Sequence, residues 1–85
     1  MQIEGAIIKE QGQAFAIVIV KSHVITSADK DDVVRDFSKY FPRMPIILMA
    51  QNSRGIPTYY GRKDIVDFLS KVHLPQIPWK KYTFN

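Results

Sequence analysis

Ala14-Phe15-Ala16-Ile17-Val18-Ile19-Val20 decides the fold. Seven apolar residues follow one another, and the last four are β-branched. No polar residue breaks the run at a spacing of two or of three to four, and the run is too short for a helix. It reads as a strand buried on both faces, the kind found inside α/β sheets. A second run of this type, Ile46-Ile47-Leu48-Met49-Ala50, follows Pro45.

The chain between these runs reads as a helix. Thr26-Ser27 supplies a cap, and Asp29, Asp31 and Asp32 place acids in the first turn, where the helix dipole favours them. Val33, Val34, Phe37, Tyr40 and Phe41 then form one apolar stripe, and Pro42 ends it. Strand, helix and strand make a βαβ unit with parallel strands and a right-handed crossover.

Upstream, Gln2 to Lys9 is a mixed strand with Ile3, Gly5 and Ile7 on one face, and Glu10-Gln11-Gly12-Gln13 turns it back as a hairpin. Downstream, Thr58-Tyr59-Tyr60 forms a short strand. Arg62 to Val72 is a second amphipathic helix burying Ile65, Phe68, Leu69 and Val72, and Trp79 to Phe84 is a terminal strand beyond Pro75 and Pro78. The order is ββαβ(β)αβ. It defines an α/β (α+β) domain with a mixed sheet of about four to five strands and two helices. The expected form is a small two-layer sandwich with both helices on one face. Ile17, Ile19, Ile47, Phe37 and Leu69 are expected in a single buried cluster.

The 85 residues make one compact domain, 1–85. A chain this size buries only about 60–65% of its unfolded surface. Its 46% apolar content and 12% aromatic content answer that need, and Trp79 and Phe84 are expected to close the core. There is no cysteine, which excludes disulfides, thiol redox chemistry and thiolate metal sites. No apolar run approaches the ~20 residues of a membrane span, and Met1-Gln2-Ile3-Glu4 does not open a signal peptide. The expectation is a soluble, cytoplasmic protein without membrane association.

Catalytic signatures are missing. Neither a Gly-x-Gly-x-x-Gly nor a Walker-type Gly-Lys-Ser/Thr loop occurs, and no serine sits in a Gly-x-Ser-x-Gly elbow. His23 and His73 lack a second ligand at metal-binding spacing. Asp29-Lys30-Asp31-Asp32 lacks the glycine and closing glutamate of a calcium loop and reads as a charged helix start. No catalytic, cofactor-binding or metal-binding residue is therefore assigned, and no cofactor is expected.

The informative surface is Gln51-Asn52-Ser53-Arg54-Gly55-Ile56-Pro57-Thr58-Tyr59-Tyr60-Gly61-Arg62-Lys63. It leaves a buried strand and enters a helix, the position where open α/β sheets place ligands. Arg62 and Lys63 oppose the dipole of the second helix, and local rules are most often broken at functional sites. Net charge is +4. Residues 1–42 hold five Lys/Arg against six Asp/Glu, and residues 43–85 hold seven against two. The leading expectation is a non-catalytic binding domain engaging a protein partner through Asn52, Arg54, Tyr59, Tyr60, Arg62 and Lys63, since Tyr and Arg dominate hot spots. Tyr59 and Tyr60 should face opposite ways, one inward. The alternatives are nucleic-acid or phosphate-ligand binding by the basic second half, with Arg54, Arg62 and Lys63 converging on an anion, and a small enzyme acting on a phosphorylated substrate with Asp64 as base. A homodimer through an uncovered sheet edge or face is also expected.

Overall fold

The computed structural model describes residues 1–10 and 12–84. Gln11, inside the expected turn between the first two strands, lies outside the described residues. Strands β1 (Gln2–Glu10), β2 (Gln13–Ile19), β3 (Ile46–Gln51), β4 (Pro57–Tyr60) and β5 (Lys80–Thr83) form one sheet of order β4-β3-β2-β1-β5. β2 and β3 are parallel, with Ile17 beside Ile47, and every other neighbouring pair is antiparallel. The helices are α1 (Ser22–Thr26), α2 (Lys30–Ser38) and α3 (Lys63–Leu69), followed by a single 3₁₀ turn, Leu74–Gln76. Class and mixed sheet are those read from the sequence, and so is the element order apart from the added α1 and 3₁₀ turn. Among the described residues no helix is long and apolar enough to cross a membrane.

The layers differ from the expectation. Phe15, Ile17, Ile47 and Met49 project to one face, where Ile65 and Leu69 of α3 cover them, with Ile77 beyond. Ala16, Val18, Ile46 and Leu48 project to the other, under Val33, Val34 and Phe37 of α2 and Val24 and Ile25 of α1. The sheet is therefore covered on both faces, and the two-layer form gives way to three layers. The single expected cluster splits likewise. Ile17, Ile47 and Leu69 share the α3 face, where Ile19 is only partly buried, and Phe37 is partly buried on the α2 face. The reason lies in β2 and β3 themselves. A strand with no polar face leaves apolar side chains on both sides to be kept from water.

Local details depart from the simplest reading in two places. Ser27 does not cap a long helix. Its Oγ accepts the N–H of Asp29 at 3.0 Å in a local turn, so α2 begins at Lys30 and the short α1 precedes it. Gly5 in β1 lies so close to β2 that a Cβ would come within 2.1 Å of the Ile17 carbonyl oxygen.

The ends of the chain close the sheet. β5 lies beside Gln2–Gly5 of β1, and the Met1 amino group donates to the Phe84 carbonyl oxygen at 2.9 Å. Tyr82 and Phe84 bring their rings edge-on to Phe41, with centroids at 5.5 and 5.7 Å, which completes the α2 face. Trp79 covers the opposite face, its indole N–H donating to the Leu74 carbonyl oxygen at 3.0 Å. Trp79 and Phe84 thus close the core as expected.

Candidate functional site

The segment 51–63 is a hairpin, not a strand-to-helix loop. β3 ends at Gln51, and β4 returns antiparallel, with Gln51 beside Pro57 and Leu48 beside Tyr60. Asn52 to Ile56 forms the tip. The Asn52 Oδ1 accepts the N–H groups of Arg54 at 2.8 Å and Ile56 at 3.0 Å. The Asn52 N–H donates to the Ile56 carbonyl oxygen at 3.0 Å, and the Gly55 N–H donates to that of Asn52 at 2.9 Å. The Gln51 amide donates to the Gly55 carbonyl oxygen at 2.9 Å. Asn52 is therefore the residue that builds the tip. Arg54 and Ile56 are exposed on it, Ile56 at 55%.

Tyr59 and Tyr60 point to opposite faces, as their adjacency in a strand requires. Tyr59 packs on the α3 face, where its hydroxyl is buried without a hydrogen-bond partner among the described residues, and burial pushes the phenol pKa up. Tyr60 packs on the α2 face and donates its hydroxyl to the Asp31 carboxylate, while Lys30 Nζ lies 4.9 Å from the centre of its ring. Its pKa is also raised, first by that hydrogen bond and then by desolvation and the Asp31 charge. Beside Tyr60 opens a cleft of about 420 Å³, with Val34, Pro45 and Ile46 as its apolar walls and Asp31 and Arg62 at its rim. Gly61 makes this corner possible. A Cβ there would meet the buried Ile47 Cδ1 at 2.4 Å and the Ile46 carbonyl oxygen, which is backbone, at 3.1 Å.

The charge conflict expected at the second helix is relieved locally. Arg62 lies outside α3, at its N-cap, and Asp64 occupies the first turn. The guanidinium holds the carboxylate through Nε at 3.1 Å and Nη2 at 2.6 Å. The pairing raises the Arg62 pKa and holds the Asp64 carboxyl below the ordinary carboxylate value. Asp64, the base named for the enzymatic alternative, is thus held in an ion pair with the neighbouring guanidinium. Arg54 and the pair Arg62–Lys63 sit at opposite ends of β4, which at ~3.3 Å per residue is about 13 Å long. The structure does not bring these three cations together.

Three of the six expected residues thus gather at one corner: Tyr60, Arg62 and, at the start of α3, Lys63. Arg54 stands at the far end of the same strand, Asn52 supports it, and Tyr59 turns inward. Lys30 and Asp31, which hold Tyr60, were read from sequence only as a charged helix start. Nothing in a sequence separation of 29 residues links Asp31 to Tyr60. Among the described residues no group of three His, Asp or Glu side chains is placed to share a metal. Comparison with family models, curated proteins and solved structures finds no match to this chain.

Proposed function

We propose that this chain is a small, non-catalytic cytoplasmic binding domain that engages a protein partner through the β3–β4 hairpin and the Tyr60 corner. The observation that carries the reading is the tip. Its peptide groups are bonded to one another, and that network holds Arg54 and Ile56 out to solvent. A tip ordered in advance loses little entropy on binding. Tyr60, fixed by Asp31 and flanked by Arg62, adds a second anchor of the residue types that dominate hot spots.

Self-association through the open edge of β1, the other expectation, meets a guarded platform. β5 covers only Gln2–Gly5 of β1, so the open stretch is Ala6–Glu10, and Lys9 sits within it, a residue type that discourages edge pairing.

Site-directed photocrosslinking in native cell extract tests the proposal. A photoreactive phenylalanine analogue at Ile56 is expected to capture a discrete protein, and the same analogue at Glu10 is not. The adduct should vanish when Arg54 is changed to Glu, with the thermal midpoint unaltered, since Arg54 is exposed. An adduct that disappears on nuclease treatment would transfer the site to the nucleic-acid reading. Equal adducts at both positions would remove the hairpin as the binding surface.

A further inference from the structure

We infer that β4 is a strand-docking edge, and that its occupant is an extended acidic segment of the partner protein. This inference rests on the reading just given and names the partner's chemistry.

The first observation is the phase of the ladder. β4 is the last strand of the sheet on its side. The Asn52 N–H to Ile56 carbonyl bond marks those two residues as a hydrogen-bonded pair. Every second pair along an antiparallel ladder is of the same type. The register then makes Ala50–Thr58 and Leu48–Tyr60 hydrogen-bonded pairs as well. Thr58 and Tyr60 therefore turn their peptide groups toward β3, and Pro57 and Tyr59 turn theirs outward. This explains why a proline is tolerated in the strand, since Pro57 stands where no N–H is needed by the sheet. It also leaves the Tyr59 N–H and the carbonyl oxygens of Pro57 and Tyr59 facing solvent along the edge. Strand addition uses such main-chain groups for affinity and the alternating side chains for specificity. An added strand would set alternate side chains beside Tyr59 on one face and beside Tyr60 and its cleft on the other.

The second observation is the charge around that edge. Arg54 lies at one end of β4, Lys63 at the other, and Lys30 over the Tyr60 ring. None of the three has an ion pair among the described residues. Asp64 is paired with Arg62, and Asp31, which keeps its charge while accepting the Tyr60 hydroxyl, offsets Lys30 beside it. An incoming acidic strand would meet unpaired cations at both ends of β4 and a net positive charge along it. A second copy of this chain would not fit, because antiparallel pairing of β4 with itself sets Arg54 of one copy beside Arg62 and Lys63 of the other. Like charges brought face to face in this way select against a partner.

The test is a random peptide library displayed on phage and panned on the intact protein. Enriched sequences should be extended and rich in Asp and Glu. A synthetic peptide of the enriched sequence should slow hydrogen exchange at the Tyr59 amide by roughly tenfold or more, while the Thr58 and Tyr60 amides are protected already in the free protein. Changing Arg54→Glu together with Lys63→Glu should weaken that peptide by about tenfold or more at an unchanged thermal midpoint. Should this pair fail to fold, Arg54→Gln with Lys63→Gln gives the same comparison. Failure to enrich any sequence, enrichment of basic or uncharged sequences, or protection appearing at Lys81 and Thr83 on the β5 edge instead would each overturn strand addition at β4. If the Ile56 crosslink persists while the library result is negative, the partner reading stands and the acidic-strand inference alone is lost.

Discussion

Tyr60 concentrates the chemistry of the site in one side chain. Its phenol gives a hydrogen bond to a carboxylate, and the folded state therefore favours the protonated form over the ordinary value of 10.0. The sign of the linkage follows. The stabilising contribution of this bond is complete below the unfolded pKa and is lost as pH rises through the higher folded one. In an ultraviolet titration, the difference between the parent and Tyr60→Phe should isolate a tyrosine ionising above the ordinary range. Asp31→Asn should return that ionisation toward the ordinary value. It should also flatten the fall in thermal midpoint that the parent shows across the same alkaline window. Coincident titrations of the parent and Asp31→Asn would show that the bond does not persist in solution.

Asn52 teaches the opposite lesson at the same scale. Expected as a contact residue, it has its side-chain oxygen bonded by two backbone N–H groups of the tip. The signal was present in the letters. An Asn three residues before a Gly, between two apolar runs, is the composition of a side-chain-capped turn. Reading that turn would have made Thr58-Tyr59-Tyr60 the return strand of a hairpin.

Among the elements, β2 and β3 were the most legible, because a wholly apolar run short of helix length admits few other readings. Their lack of a polar face also dictated cover on both sides, a consequence that the two-layer expectation missed. α1 was hidden because five residues give no periodicity. The boundary of α2 was misplaced because Ser27 uses its hydroxyl for a turn. The partner of β4 could not be read at all, since β4 is only four residues long and its register is fixed by the tip.

The division of the helices between faces makes a stability prediction. α3 buries Leu69 completely, and α2 leaves Phe37 only partly covered. Leu69→Ala should cost on the order of 2–5 kcal/mol. Phe37→Ala, although it removes the larger side chain, should cost less than Leu69→Ala. Urea unfolding of the two variants checks the order. The reverse order would place the mechanical weight of the fold on α2.

For the molecule as a whole, the pairing of Met1 with Phe84 and of Ile3 with Tyr82 governs the order of assembly. β1 and β2 are neighbours in sequence, with Glu10 beside Gln13, and meet at once, but β1 and β5 can meet only after a loop of nearly the whole chain has closed. Loop-closure entropy grows as the logarithm of loop length, so contacts of this span are the most costly to form first. β5 should dock late, after the rate-limiting barrier. Stopped-flow measurements on Tyr82→Ala should then show faster unfolding with folding almost unchanged. A conservative truncation at Ile17, inside the early sheet, should slow folding. Until that last strand arrives, β1 stands as an open edge along its full length, with Ile3 and Phe41 still wet. An unpaired edge and wet apolar side chains make such a state the one in which another chain can be captured, so a variant that delays β5 should aggregate more readily while it folds.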